Sequence, residues 1–151
     1  MNTVKHEVWG ATRLAKENEE VRVLVVDDNA SGRGAIAAYL TLEGMNARAV
    51  ASCAEALTVS AGWKPDIAVL DIMMPVQDGF ETAQALRARF DAGLLIVAFT
   101  ATDSAFVKAH PDSFRLFDGY CQKGTSPLHL IRVLESLLAT TARRQSPARG
   151  A

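Results

Sequence analysis

Pro65-Asp66-Ile67-Ala68-Val69-Leu70-Asp71-Ile72-Met73-Met74-Pro75-Val76-Gln77-Asp78-Gly79 is the stretch whose reading decides the fold. The apolar run Ile67 to Leu70 stops at a carboxylate, and the turn residues Pro75 and Gly79 follow. A short, unbroken apolar run bounded by turn signals reads as a strand buried on both faces of a parallel sheet. Asp71 then stands at its carboxyl end, with a loop and a helix behind it. In open α/β sheets ligands sit outside the carboxyl ends of the strands, so chemistry is expected at Asp71.

The flanking sequence repeats this unit. Val21 to Val26 is β-branched and runs into Asp27-Asp28, a first strand ending in acid. Ile36, Tyr39 and Leu40 share a face of a helix over Ala35 to Leu42; Gly32 and Gly34 weaken its start, and Gly44 closes it. Ala47 to Val50 is a second strand. Ser52 with Glu55 three residues on has the spacing of a capping box, for a helix that Gly62 ends. Beyond the Asp71 strand, Asp78 caps a helix carrying Phe80, Ala83, Leu86 and Phe90. Leu94 to Phe99 is a fourth strand, ending at Thr100. Pro111 cannot sit inside a regular helix, so 105–110 is read as irregular and 112–117 as a short helix with Pro111 in its first turn. Gly119 to Gln122 is a fifth strand, ending at Lys123. Ser126-Pro127 starts a last helix with Leu130, Ile131, Leu134, Leu137 and Leu138 on one face. Five strands alternating with helices predict an α/β fold: a doubly wound, flavodoxin-like, five-stranded parallel sheet with helices on both faces.

Composition narrows the class. A chain of 151 residues is one domain's worth, and 49% apolar with 22% charged residues is ordinary for a soluble globular protein. A net charge of -1 lacks the basic footprint of a nucleic-acid binder. Cys53 and Cys121, without CxxC spacing, read as reduced thiols. There is no apolar signal core near the start and no run of membrane-spanning length, so a cytoplasmic protein without a membrane partner is expected. Residues 1–20 read as a flexible N-terminal extension with few apolar groups, Trp9 among them. Residues 21–139 form the domain, and 140–151 a disordered basic tail. His6, His110 and His129 read as surface histidines, and Trp63 as a lid on the end of the second helix.

The strand ends carry Asp27-Asp28, Asp71, Thr100 and Lys123, and a parallel sheet puts all of them on one edge. Crowded carboxylates raise one another's pKa unless a cation neutralises them. A hard divalent ion does so, and Mg²⁺ takes one or two carboxylates together with waters and phosphate oxygens. Lys123 adds a fixed positive charge and Thr100 a hydroxyl donor. This set suits phosphoryl transfer onto Asp71 as a nucleophile. Taken singly, each residue has a plainer role as an N-cap acid, a strand-end threonine or a surface lysine. Their occurrence at successive strand ends is what points to chemistry.

Four motifs now stand together: Leu24-Val25-Val26-Asp27-Asp28-Asn29; Asp71-Ile72-Met73-Met74-Pro75 with Gly79; Phe99-Thr100-Ala101; and Tyr120-Cys121-Gln122-Lys123. Over about residues 21–139 they resemble the receiver domains of response regulators in two-component signalling. The resemblance implies that Asp71 is the phosphoacceptor. It implies that Asp28, Asp71 and the Met73 backbone carbonyl hold Mg²⁺ directly, with Asp27 acting through water. It makes Thr100 the hydroxyl that turns toward the phosphoryl group and Lys123 its ion-pair partner. It makes Tyr120 an aromatic whose rotamer reports phosphorylation; a half-buried strand tyrosine is the alternative. The implied donor is a histidine kinase or histidine phosphotransfer protein, and the output is binding to an unnamed downstream protein. The protein is then a signalling phosphoacceptor that assists its own phosphorylation and dephosphorylation, not an enzyme with a released product. Few residues follow the last helix, so a stand-alone receiver is expected, and homodimerisation is left open.

Some positions depart from the family. Gly124 stands where receivers usually have Pro, and 103–117 lacks the pattern of a regular fourth helix, which implies a changed partner surface or one that orders on binding. The apolar Met73 cannot orient a hydrolytic water, so a long-lived phosphoryl group is expected. Two rivals remain. A Mg²⁺-dependent phosphatase with an aspartyl nucleophile would carry a second Asp where Met73 stands. A phosphorylation-independent interaction module would keep the fold without the chemistry. Nucleotide binding finds neither GxGxxG nor a P-loop.

Overall fold

The computed structural model describes residues 4–10 and 20–138, including a six-stranded sheet flanked by helices. The strands are β1 (His6–Val8), β2 (Arg22–Val26), β3 (Asn46–Val50), β4 (Ile67–Leu70), β5 (Leu95–Thr100) and β6 (Gly119–Gln122). The helices are α1 (Ala30–Leu42), α2 (Cys53–Gly62), α3 (Gly79–Phe90), α4 (Ser104–Lys108), α5 (Ser113–Leu116) and α6 (128–138). The order across the sheet is β1-β6-β5-β4-β2-β3, and every pairing is parallel except that of β1 with β6.

Alternation along the strands divides the core in two. Leu24, Val26, Leu70 and Ile96 face α2, α3, α4 and α5, where Ala56, Leu86, Val107 and Leu116 meet them. Val23, Val25, Val69 and Val97 face α1 and α6, where Leu40, Leu130, Leu134 and Leu137 close the second layer. Ile67 to Leu70 is buried throughout, as a strand covered on both faces must be. Trp63 is buried at the end of α2, with the Arg48 and Arg22 guanidinium groups 4.6 and 5.6 Å from its ring centroid.

Four elements differ from the sequence expectation. The sheet has six strands and not five, because His6–Val8, inside the lead-in read as flexible, pairs with β6. Without it β6 would be an open edge with unpaired backbone groups, and three residues are too few to show a period. Helix α1 begins at Ala30, ahead of its glycines, because the Asn29 side chain accepts the Gly32 N–H at 2.8 Å and caps it. The segment read as irregular holds α4, whose start is capped by Asp103 accepting the Phe106 N–H at 2.8 Å. Pro111 does separate two helical pieces, but it lies in the turn between them, and Asp112 occupies the N-cap of α5. The expected tail, 140–151, and most of the lead-in lie outside the described residues.

Candidate functional site

Backbone bonds carry three of the four parallel ladders one residue past the strand. The Asp27 N–H donates to the Val50 carbonyl at 3.1 Å, the Asp71 N–H to Val26 at 2.9 Å, and the Lys123 N–H to Thr100 at 2.8 Å. This fixes the four positions along one edge before any side chain is considered. The loop after Asp71 turns back sharply: the Gly79 N–H reaches the Ile72 carbonyl at 2.9 Å. A Cβ at Gly79 would lie 2.4 Å from the Asp71 carbonyl oxygen, so only glycine fits there. Asp78 and Glu81 then form a complete capping box at the start of α3.

Asp27, Asp28 and Asp71 each present a carboxylate oxygen within 4.8 Å of the others. Asp27 and Asp71 are buried, while Asp28 is exposed. Lys123 Nζ lies 3.0 Å from Asp71 Oδ2 and also contacts Asp27 Oδ2, so one ammonium spans two carboxylates. Burial pushes the Asp71 carboxyl above its usual pKa; Lys123 opposes the shift, and the neighbouring Asp27 charge adds to it. Burial works against the Lys123 ammonium, yet its bonds to Asp27 and Asp71 outweigh that and hold its pKa above the ordinary lysine value. Asp71 Oδ1 accepts the Met73 N–H at 3.2 Å. A hard cation fits this donor set, which offers carboxylate oxygens with more negative charge than one lysine offsets.

Thr100 is fully buried, and its hydroxyl oxygen accepts from the Thr102 hydroxyl at 3.2 Å and the Thr102 N–H at 3.4 Å. The Tyr120 hydroxyl donates to the Thr102 carbonyl at 2.7 Å, and the ring is fully buried. Gly124 has φ +83°, a left-handed backbone that suits glycine, and no peptide among the described residues is cis. Beside the cluster lies a cavity of about 290 Å³, lined by Asp27, Asn29, Ile36, Phe99, Lys123 and Pro127 among others.

Two participants escaped the sequence reading. Arg33 donates from Nη1 to the Asp27 and Asp28 carbonyls, at 3.2 and 3.4 Å, and braces the acidic turn from α1. Trp9 stacks on Tyr120 with ring centroids 5.8 Å apart and planes 11° apart. The sequence marked Trp9 only as an apolar group in the lead-in, and with no periodic signal around it nothing said that it packs on Tyr120.

Residues 23–133 match the family of response regulator receiver domains. The chain belongs to that family. The receiver is 36% identical over 128 residues to response regulator MprA of Mycobacterium sp. (strain KMS), covering 84% of this chain and 54% of MprA. It is 35% identical over 111 residues to DNA-binding response regulator MtrA of Mycobacterium tuberculosis (strain ATCC 25618 / H37Rv), covering 73% of this chain and 47% of MtrA. The chain thus spans about half the length of these curated relatives. Among solved structures, chemotaxis protein CheY4 of Vibrio cholerae superposes with a TM-score of 0.73 at 26% identity, covering 80% of this chain and 100% of its own. Response regulator TrrA of Thermotoga maritima, solved in complex with Mg²⁺ and BeF, gives 0.70 at 29% identity, covering 78% and 99%. Phosphorylation and Mg²⁺ binding at an acidic pocket are general features of receivers, and this chain carries a three-aspartate cluster at the carboxyl edge of its sheet. Strand β1 lies outside the matched residues. No helix among the described residues is long and apolar enough to cross a membrane.

Proposed function

We propose that this receiver, residues 21–139, takes a phosphoryl group from a phosphohistidine donor onto Asp71 and thereby changes its affinity for a downstream protein. The observation that carries the reading is Lys123 spanning Asp27 and Asp71 inside a three-carboxylate cluster. An Asp71 carboxylate oxygen forms the new P–O bond as the P–N bond to the donor imidazole breaks, and the released imidazole takes up a proton. Lys123 keeps its positive charge against the phosphoryl oxygens. Thr100 holds its hydroxyl at the adjoining strand end as a donor to one of them. Mg²⁺ would be held by Asp28, Asp71 and the Met73 carbonyl, with Asp27 through water, and supplies the remaining charge neutralisation. The donor is a histidine kinase or a histidine phosphotransfer protein, and the reading puts the receiver in the cytoplasm with it.

Intact-protein mass spectrometry after acetyl phosphate treatment, with and without Mg²⁺, tests this on wild type and Asp71→Asn. The expected result is a Mg²⁺-dependent gain of one phosphoryl mass that the variant loses. No gain under any condition would overturn the reading in favour of an interaction module that works without phosphorylation.

A further inference from the structure

We propose that Arg33 is a positioning residue of the acidic site: its guanidinium clamps the turn that presents the Asp28 carboxylate to a divalent cation. The inference rests on the Mg²⁺ site of the phosphoacceptor reading and adds to it a side chain that acts through the backbone.

The three acids of the cluster are not held alike. Asp27 is tied by its N–H to Val50 at 3.1 Å, its Oδ1 accepts the Asn29 N–H at 3.0 Å, and its Oδ2 meets Lys123. Asp71 is tied by its N–H to Val26 at 2.9 Å, its Oδ1 accepts the Met73 N–H at 3.2 Å, and its Oδ2 lies 3.0 Å from Lys123. Asp28 has no such set of ties. It is exposed, and the one hydrogen bond that reaches it among the described residues runs from Arg33 Nη1 to its carbonyl at 3.4 Å. The same nitrogen donates to the Asp27 carbonyl at 3.2 Å. The acid with the loosest side chain therefore depends on Arg33 for the setting of its backbone.

Arg33 is itself fixed at its root. It lies in the first turn of α1, where its N–H bonds to the Asn29 carbonyl at 3.0 Å and the Asn29 side chain caps the Gly32 N–H at 2.8 Å. The acidic turn is thus gripped from both sides, by the capped start of the helix and by a guanidinium returning to two successive carbonyls. A planar, preorganised head loses little freedom in holding such a pair of bonds. Because it binds carbonyl oxygens, it leaves the Asp28 carboxylate oxygens to an ion. Lys123 does the complementary work, spanning the carboxylates of the two buried acids.

The sign of its effect separates a brace from a bystander charge. A cation beside a cation site, acting by charge alone, weakens Mg²⁺ binding, and its removal tightens that binding. A brace does the reverse. Without Arg33 the Asp28 turn must be ordered when the ion arrives, and that ordering is subtracted from the affinity. Groups that orient metal ligands from outside the coordination shell are worth about tenfold or more in metal affinity.

The test is a calorimetric Mg²⁺ titration of wild type, Arg33→Met and Arg33→Lys, with thermal melts in EDTA to show that each variant is folded. Acetyl phosphate labelling of the same samples, followed by intact mass across a Mg²⁺ series, gives a second reading. Arg33→Met is expected to bind Mg²⁺ about tenfold more weakly than wild type, with Arg33→Lys between the two. The Mg²⁺ concentration for half-maximal labelling is expected to rise in the same order. If Arg33→Met does not fold, Arg33→Lys carries the comparison, and wild-type affinity in it would overturn the brace. A folded Arg33→Met with unchanged or tighter Mg²⁺ binding would overturn the brace and leave the phosphoacceptor standing. A wild type that neither binds Mg²⁺ nor gains phosphoryl mass would overturn the phosphoacceptor reading and the brace with it.

Discussion

At the scale of single residues the site trades stability for chemistry. Asp71 is buried beside Asp27, and its folded pKa stands above the unfolded one. A group shifted upward contributes its stability below the unfolded pKa and loses it as pH rises through the folded pKa. At neutral pH the Asp71 charge is therefore a net cost, and Asp71→Asn removes it while leaving Asp27 to hold Lys123. The expected outcome is a melting temperature a few degrees higher at pH 7, on the order of 1 kcal/mol, with the gain vanishing as pH falls below the carboxylate range. Thermal melts of both proteins across that range check it, and a variant less stable than wild type at pH 7 would contradict the assignment. The Lys123 pKa is raised as well, but in a lysine that shift favours the charged form, so its ammonium is stabilising at neutral pH and the contribution is lost only as pH rises through its folded pKa.

At the scale of elements, residues 4–10 form a strap that packs along β6 and against the 103–117 segment. Pro111 divides what would be one helix, yet the two pieces stay packed, with Val107 and Leu116 fully buried. Phe80 of α3 stacks on His110 in the turn between them, with centroids 3.9 Å apart. Ser104, Lys108 and Phe114 on these pieces meet the strap. The strap has a pH dependence of defined sign. His6 is held below its usual pKa by burial and by His129 and Arg132 of α6. Burial raises the Glu7 pKa, but Lys108, Trp9 and Ser104 outweigh it and hold the carboxyl below its usual value. Both shifts are downward, so both contributions are present above the unfolded pKa and lost as pH falls through the folded one. Acid should loosen the strap first below the histidine reference of 6.5 and again in the carboxylate range. Emission of Trp9 in the Trp63→Phe background is expected to shift red in those two steps, and His6→Gln should remove the upper one. A flat profile down to global unfolding would rule out these contacts as the clasp.

At the scale of the whole molecule, two apolar layers enclose the sheet, and the cysteines report on them. Cys53 and Cys121 are buried, and burial pushes the Cys121 thiol up to about 12. A protonated, enclosed thiol is a poor nucleophile. Iodoacetamide is expected to label neither cysteine in the native protein and both together in denaturant, with mass spectrometry counting the additions. Cys121 labelled early and alone would mean that β6 opens before the rest of the sheet.

The sequence by itself determined the five parallel strands, the helices between them except α4, the caps at Ser52 and Asp78, and the strand-end positions of Asp27, Asp28, Asp71, Thr100 and Lys123. Those signals are local: an apolar period, a capping residue, and a carboxylate where an apolar run stops. Even Pro111 marked its break correctly, though the N-caps at Asp103 and Asp112 decided where the flanking helices begin. Only the tertiary structure decided that β2 and β4 are neighbours, which brings Asp27 within reach of the lysine that meets Asp71. It alone placed Arg33 under the acidic turn and laid Trp9 on Tyr120. Strap contacts join residues more than a hundred positions apart, and a three-residue strand has no period of its own. Its pairing depends on an edge that exists only once the other five strands are in order.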